Sequence, residues 1–298
     1  MRSPILVSCL LLAAAASLAA GTARAGDQDY PVSYVERPLT LPKFTLAPSL
    51  ELDIERIGFG AATASAGGVT VTTNAGALVV TGMQIGASFG ITNDLEVGAI
   101  VLPILFSPAG GYGAPFLGEE GHYGEPTLYA TYRFLHKEDF DLGVRLNIQI
   151  FVPEYGLGAG AIIEPSVPFL LHIGKRMRFD AEVGIPIIAG GGNGFTGATG
   201  ATAGLDVPLR LAFDIIEPLH VGVNTGFVVD DFRAAGDSTR IPLGVFFGYA
   251  VGEKRPIVDI DPFFNFADFI TPGGGPFGDK VNPGVFVTGV AARGYFYL

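Results

Sequence analysis

Acidic and arginine side chains recur at every second position in several segments of this 298-residue chain. In the clearest segment, Asp141 and Arg145 alternate with the aliphatic residues Leu142 and Val144. Successive side chains of a β-strand point to opposite faces, so this spacing puts charges on one face and aliphatic groups on the other. If the aliphatic face is directed outward, the charges line the interior of a barrel, where they can contact a solute or pair with each other.

The same alternation predicts a larger set of inward side chains. Glu51, Asp53, Glu55, Glu125, Glu164 and Arg133 share this register. An excess of acids in a water-filled pore favours cations. A closed network of arginine–carboxylate pairs that stiffens the interior is the alternative, and the sequence leaves both open. The candidate lumen-lining residues are Glu96, Asp141, Arg145, Arg178, Asp180, Glu182, Asp206, Arg210, Asp214, His220, Arg240, Asp259, Asp261 and Arg293.

Catalytic chemistry has little support in the sequence. The single cysteine, Cys9, lies in the apolar N-terminal stretch, and the four histidines show no metal-ligand spacing. No Gly-x-Ser-x-Gly motif is present. His122 with Asp230 or Asp231 is the one pair that a hydrolase at the barrel rim could use. We therefore expect a protein that is not an enzyme and that has no cofactor and no metal.

The N-terminus predicts export. Arg2 precedes an apolar stretch that ends near the small-x-small triplet Ala23-Arg24-Ala25. This pattern is typical of a secretory signal peptide over residues 1–25. Residues 26–45 contain three prolines and predict an extended periplasmic segment, and residues 46–298 predict the barrel.

The composition of the chain indicates that β-strands, and not helices, position the charged residues. The chain contains 43 glycines, 49% hydrophobic residues and only 16% charged residues. Past residue 25 no apolar run reaches about 18 residues, so no helix can span a bilayer. Alternation then predicts an all-β fold: a single antiparallel transmembrane β-barrel. Its predicted strands, about 12 in number, are 49–59, 82–91, 95–105, 125–134, 141–150, 160–173, 178–187, 205–214, 219–229, 239–250, 256–267 and 284–298.

The connectors alternate between short and long. Short polar turns are predicted at 92–94, 136–139, 174–176, 216–218 and 252–255. This arrangement is typical of outer-membrane barrels, with short periplasmic turns and long outer loops. A soluble β-sandwich or lipocalin-like barrel also alternates, but its outer face normally carries many charged residues. The longer glycine-rich connectors are 60–81, 106–124, 152–159, 189–201, 230–238 and 268–283.

The last strand and the net charge predict the partners. The chain ends Gly294-Tyr295-Phe296-Tyr297-Leu298, an aromatic alternation typical of the strand that the barrel-insertion machinery recognises, with Leu298 in place of the usual Phe. Outer-membrane lipid and small solutes are the other expected partners. The net charge of −11 argues against nucleic acid.

Four short motifs resemble a known family. They are Glu36–Pro42, Phe89–Gly98, Gly124–Pro126 and Ile163–Pro165. With these motifs the chain resembles bacterial outer-membrane barrels, and it is most similar to the transporters of the phenol-degradation (MetA-like) pathway. The resemblance implies passage of small, apolar molecules.

The predicted function is passive passage of small solutes, cation-preferring or apolar, across the outer membrane of a Gram-negative bacterium. The alternative is a closed structural or adhesive barrel that binds a partner through its outer loops.

Overall fold

The computed structural model describes residues 30–59, 62–66, 69–73, 76–106, 126–151, 160–190, 192–193, 198–199, 201–236, 238–272 and 286–298. The predicted signal peptide, His122, Glu125 and most of the predicted loops 106–124, 152–159 and 268–283 lie outside these residues. Within them, no helix is both long and apolar enough to cross a bilayer.

Twelve antiparallel strands form one closed ring in the described part of the chain. Each strand pairs with the next, and β12 pairs with β1 from Ser49 opposite Arg293 to Arg56 opposite Phe286, which closes the ring. The predicted all-β, 12-strand barrel is confirmed. The strands are β1 (Thr45–Phe59), β2 (Gly76–Gly90), β3 (Leu95–Phe106), β4 (Thr127–His136), β5 (Phe140–Phe151), β6 (Gly160–Ile173), β7 (Met177–Gly184, continued by Ile187–Gly190), β8 (Leu205–Ile216), β9 (Leu219–Val229), β10 (Thr239–Val251), β11 (Val258–Ile270) and β12 (Phe286–Gly294, continued by Phe296–Tyr297).

The largest differences from the predicted strands are at β2 and β7. The connector predicted at 60–81 is shorter, because β2 begins at Gly76 and a small hairpin joins Ala62–Ala66 to Val69–Thr73. Backbone ladders do not need apolar side chains, so this glycine- and threonine-rich stretch pairs without the alternation that marks other strands. The strand predicted at 178–187 is interrupted at Pro186, which has no N–H to donate to a ladder.

The outer face of the ring is apolar. Along β10, Val245, Phe247 and Tyr249 are exposed and alternate with buried residues such as Phe246. Water-soluble proteins rarely expose a continuous apolar surface of this extent. Other strands repeat the pattern with the exposed residues Leu52, Ile54, Ile85, Ile100, Leu128, Phe134, Val144, Leu146, Ile163, Val167, Val183, Leu211, Phe213, Val223, Phe227, Ile260 and Val290.

Inward glycines make room for side chains of neighbouring strands. A Cβ at Gly222 would overlap the ring of Phe246, and one at Gly244 would overlap the amide of Asn265. In both cases the space left by the glycine is filled by a neighbouring side chain. These glycines therefore allow large side chains to pack inside the ring.

Candidate functional site

Residues 30–44, which we call the inner segment, lie inside the barrel. They occupy the end of the ring where the short turns and both ends of the described chain meet, which we call the short-turn end. Val32, Val35, Arg37 and Leu41 are all at most 3% exposed. The sequence predicted an extended periplasmic segment over 26–45. The structure places the described part of that segment against the inward faces of the strands.

The inner segment contacts opposite walls. The Leu39 N–H donates to Asp141 Oδ2 on β5 at 2.9 Å, and Arg37 Nη2 donates to Asp259 Oδ1 on β11 at 3.0 Å. Strands β5 and β11 are separated by half of the 12-strand ring, so these two carboxylates face each other across the bore. The inner segment therefore crosses the lumen.

Two further carboxylates hold the inner segment at other points of the ring. Ser33 Oγ donates to Asp214 Oδ2 on β8 at 2.6 Å. The Leu41 N–H donates to Glu96 Oε2 on β3 at 2.9 Å. Since residues 30–44 belong to no strand, their backbone N–H groups need such acceptors in a buried location.

Arg37 is the most enclosed charge of the inner segment. Its guanidinium pairs with both oxygens of Asp259, and Nη1 donates to the Tyr295 hydroxyl at 3.2 Å. Burial alone would lower the pKa of the Arg37 guanidinium, but the Tyr295 and Asp259 oxygens outweigh it and the pKa is raised. Arg37 is therefore charged, and removing Asp259 would leave a buried charge without its counter-ion.

An aromatic contact holds the middle of the inner segment. The Tyr34 ring stacks on the His220 ring with centroids 4.3 Å apart. The Arg178 guanidinium carbon lies 4.9 Å from the centroid of the Tyr34 ring. On the other ring, His220 Nε2 lies 3.1 Å from Asp261 Oδ1. His220, predicted as a lumen residue, therefore packs against the inner segment.

Some of the other predicted charges form pairs on the barrel wall. Arg145 bridges to Glu182 at 2.8 Å, and Arg240 bridges to Asp230 at 2.7 Å. Asp206 lies opposite Gly184 in the β7–β8 register. Part of the predicted charge set is therefore a paired network. Asp230, a candidate for a rim hydrolase, is bound to Arg240.

Asp231, the other acid considered for a rim hydrolase, has a structural role. Its side chain accepts from the Arg233 N–H and caps the 3₁₀ turn Phe232–Ala234. In the described residues, no group of three or more His, Cys, Asp or Glu side chains is arranged to hold a metal ion.

A cavity of about 700 Å³ lies against the inner segment inside the ring. Seven of the predicted lumen-lining residues line it: Glu96, Arg145, Arg178, Arg210, Asp259, Asp261 and Arg293. The other seven do not line it. They are Asp141, Asp180, Glu182, Asp206, Asp214, His220 and Arg240.

The described lining of this cavity is balanced in charge. Its arginines are Arg37, Arg145, Arg178, Arg210 and Arg293, and its acids are Glu51, Glu96, Glu164, Asp259 and Asp261. The excess of acids expected from the strand register is therefore not found at this surface. Several predicted acids bind the inner segment or a wall arginine instead.

The inner segment is the part of the site that the sequence did not predict. A polar, proline-containing stretch ahead of the first strand has the composition of a surface lead. Tyr30, Tyr34 and Arg37 are the signal that distinguishes it, because two aromatic rings and an arginine within eight positions provide contacts that a linker does not need. Burial raises the pKa of the Tyr30 phenol, which keeps it neutral at physiological pH.

Two solved outer-membrane proteins have a similar fold. The NanC porin superposes with a TM-score of 0.52 at 8% sequence identity, covering 83% of this chain and 98% of that chain. The COG4313 outer membrane channel from Pseudomonas putida F1 superposes with a TM-score of 0.54 at 13% identity, covering 92% of this chain and 100% of that chain. At these identities the likeness shows the fold alone.

No protein-family profile and no curated protein sequence matches the chain. The similarity to the MetA-like transporters therefore stays a prediction.

Proposed function

We propose that this chain is a channel in the outer membrane of a Gram-negative bacterium, through which small solutes pass passively. The observation that carries the proposal is a closed ring with an apolar outer face and a polar, charged cavity of about 700 Å³ inside. A bilayer accepts a β-structure only when every backbone group is paired, as in a closed ring. The likeness to the two outer-membrane proteins supports the fold on which this proposal stands.

The inner segment limits the width of the solute path through the lumen. It crosses the lumen at the short-turn end, which faces the periplasm in barrels of this architecture. It is held by side-chain contacts such as Arg37 with Asp259, and the described residues 30–44 contribute no strand to the ring. The segment can therefore move without breaking the ladder between β12 and β1.

Planar-bilayer conductance of the chain from residue 26 onward tests the proposal. Asp259→Asn weakens the pair with Arg37, so we expect a larger or more frequent open current than in the unaltered chain. Arg240→Gln is the control, because its pair with Asp230 does not touch the inner segment. An inserted barrel that stays silent in all three forms would contradict the channel and favour the closed structural or adhesive barrel.

Ion selectivity is measured in the same experiment. The charge balance of the described lining supports weak selectivity rather than the strong cation preference expected from the acid register. We expect a reversal potential near zero in a KCl gradient. A strongly cation-selective reversal potential would contradict this and indicate that acids outside the cavity lining control passage.

A further inference from the structure

The arginines that line the cavity differ in their partners. Among the described residues, Arg210 and Arg293 make no salt bridge. Arg293 lines the same cavity as Glu96. Arg210 lies instead against the rings of Tyr34 and Phe246. The paired arginines of the lining are Arg37 with Asp259, Arg145 with Glu182 and Arg178 with Asp180.

Strand register alone would pair Arg210 with Asp180. These residues face each other across the β7–β8 ladder. Both oxygens of Asp180, however, accept from Arg178, with Nε at 2.9 Å from each and Nη2 at 2.7 Å from Oδ1. Arg178 is itself fixed to the inner segment, since Nη1 donates to the Arg37 carbonyl at 2.9 Å. Arg178 therefore takes the carboxylate that Arg210 would otherwise use.

Aromatic rings hold the Arg210 side chain in place. Its guanidinium carbon lies 3.7 Å from the ring centroid of Phe246 and 5.1 Å from that of Tyr34. Phe246 is 2% exposed and sits in the space left by Gly222. The Arg210 Nε is buried and has no hydrogen-bond partner among the described residues. A guanidinium that is positioned but lacks an acceptor is unsatisfied, which is unfavourable in a folded protein.

Besides Asp180 and Asp261, the wall around Arg210 carries neutral amides. Asn224 is its cross-strand neighbour on β9, and Asn265 lines the same cavity from β11. Asp261 on β11 is already close to His220. Arg210 lines the cavity, and its terminal nitrogens are not among the buried atoms without a partner, so a group inside the cavity can reach them.

We propose that Arg210, with Asn224 and Asn265, forms a subsite that binds the carboxylate of a small organic acid. The planar guanidinium donates two parallel N–H groups to a carboxylate, and the two amides add neutral donors. The bound carboxylate pairs with Arg210 in the way that Asp180 would if Asp180 were not already paired with Arg178. This inference rests on the proposed function, because it assigns a solute class to the same lumen.

Calorimetric titration of the folded chain in detergent with benzoate tests the subsite. Benzamide has the same shape without the charge, so we expect benzoate to bind more tightly than benzamide. Arg210→Gln should weaken benzoate binding about tenfold or more, as loss of a charged hydrogen bond does. Arg210→Lys keeps the charge but loses the planar pair of donors, so it should bind benzoate with intermediate affinity.

Arg240→Gln is the matched control, since it also removes one positive charge from the lumen but from an existing pair with Asp230. We expect its benzoate affinity to stay within about twofold of that of the unaltered chain. Equal losses in the Arg210 and Arg240 variants would mean that net charge alone attracts the anion. That result, or no benzoate binding by a folded barrel, overturns the proposal. Circular dichroism confirms that each variant is folded.

The benzoate titration and the conductance measurement test the subsite and the channel separately. Ion current without benzoate binding would leave the channel standing and remove the subsite. Benzoate binding that Arg210→Gln abolishes, in a barrel that never conducts, would leave the subsite standing and remove the channel.

Discussion

At the scale of single residues, the inward carboxylates serve mainly as acceptors for other parts of the protein. Asp141, Asp214 and Glu96 accept from the inner segment, and Asp259 pairs with Arg37. Alternation predicted the direction of these side chains. It did not predict their partners, because each partner is far away in the chain.

The inward glycines provide a prediction at the same scale. Gly222→Ala places a Cβ against the Phe246 ring and the Leu211 carbonyl, and the backbone oxygen cannot easily move away. We expect a loss of about 1–3 kcal/mol in the free energy of unfolding, as for other overpacked sites. Urea unfolding in lipid vesicles measures it.

Gly236→Ala is the control for Gly222→Ala, because a Cβ at Gly236 meets no atom within 4 Å. Equal stability of the two variants would show that Phe246 and its strand adjust freely to the added methyl group.

At the scale of elements, the inner segment differs from the strands it crosses. The strands are held by continuous ladders, such as the one that joins β1 to β12. Residues 30–44 are held by separate contacts at several points of the ring, including Ser33 with Asp214 on β8. Such separate contacts can open without disturbing a backbone ladder, as a movable element requires.

Cross-linking tests whether this element moves. The chain's single cysteine, Cys9, lies in the predicted signal peptide, so Ser33→Cys with Asp214→Cys introduces the only pair of thiols in the exported chain. The two native side chains are in contact at 2.6 Å, which brings the two positions within reach of a short, reducible thiol cross-linker. We expect the linked form to conduct less than the reduced form, with current restored by dithiothreitol.

Ser33→Cys alone is the control for the cross-linked pair, and its current should be insensitive to the same cross-linker. Unchanged current in a fully linked protein would mean that the inner segment does not move out of the conducting path.

At the scale of the whole molecule, the apolar outer face and the polar interior predict opposite responses to charge. Val245→Arg puts a cation on the exposed face of β10, and Gln84→Arg puts one on the cavity lining near Glu51. In vesicles we expect Val245→Arg to lower the free energy of unfolding by about 2–4 kcal/mol, the cost of an arginine at the bilayer midplane.

Gln84→Arg should change stability by less than about 1 kcal/mol, because lumen positions remain in contact with water and opposite charges. Urea unfolding of both variants in the same lipid measures the difference. Equal effects would contradict a lipid-facing outer surface.

The strands, their two faces and their number can all be predicted from the sequence. Alternation is a local property with a period of two residues, and short and long connectors separate the strands along the chain. The prediction was wrong where alternation is weak, as at Gly76–Thr81, because these residues pair with β1 and extend β2.

The position of the inner segment and the pairing of the charges depend on contacts between distant parts of the chain. Arg37 and Asp259 are 222 positions apart, and they meet because the ring closes and brings opposite strands around one lumen. Arg178 and Arg210 are both arginines whose side chains point into the barrel. They differ only in packing: Arg178 pairs with Asp180, whereas Arg210 lines the cavity without a salt bridge.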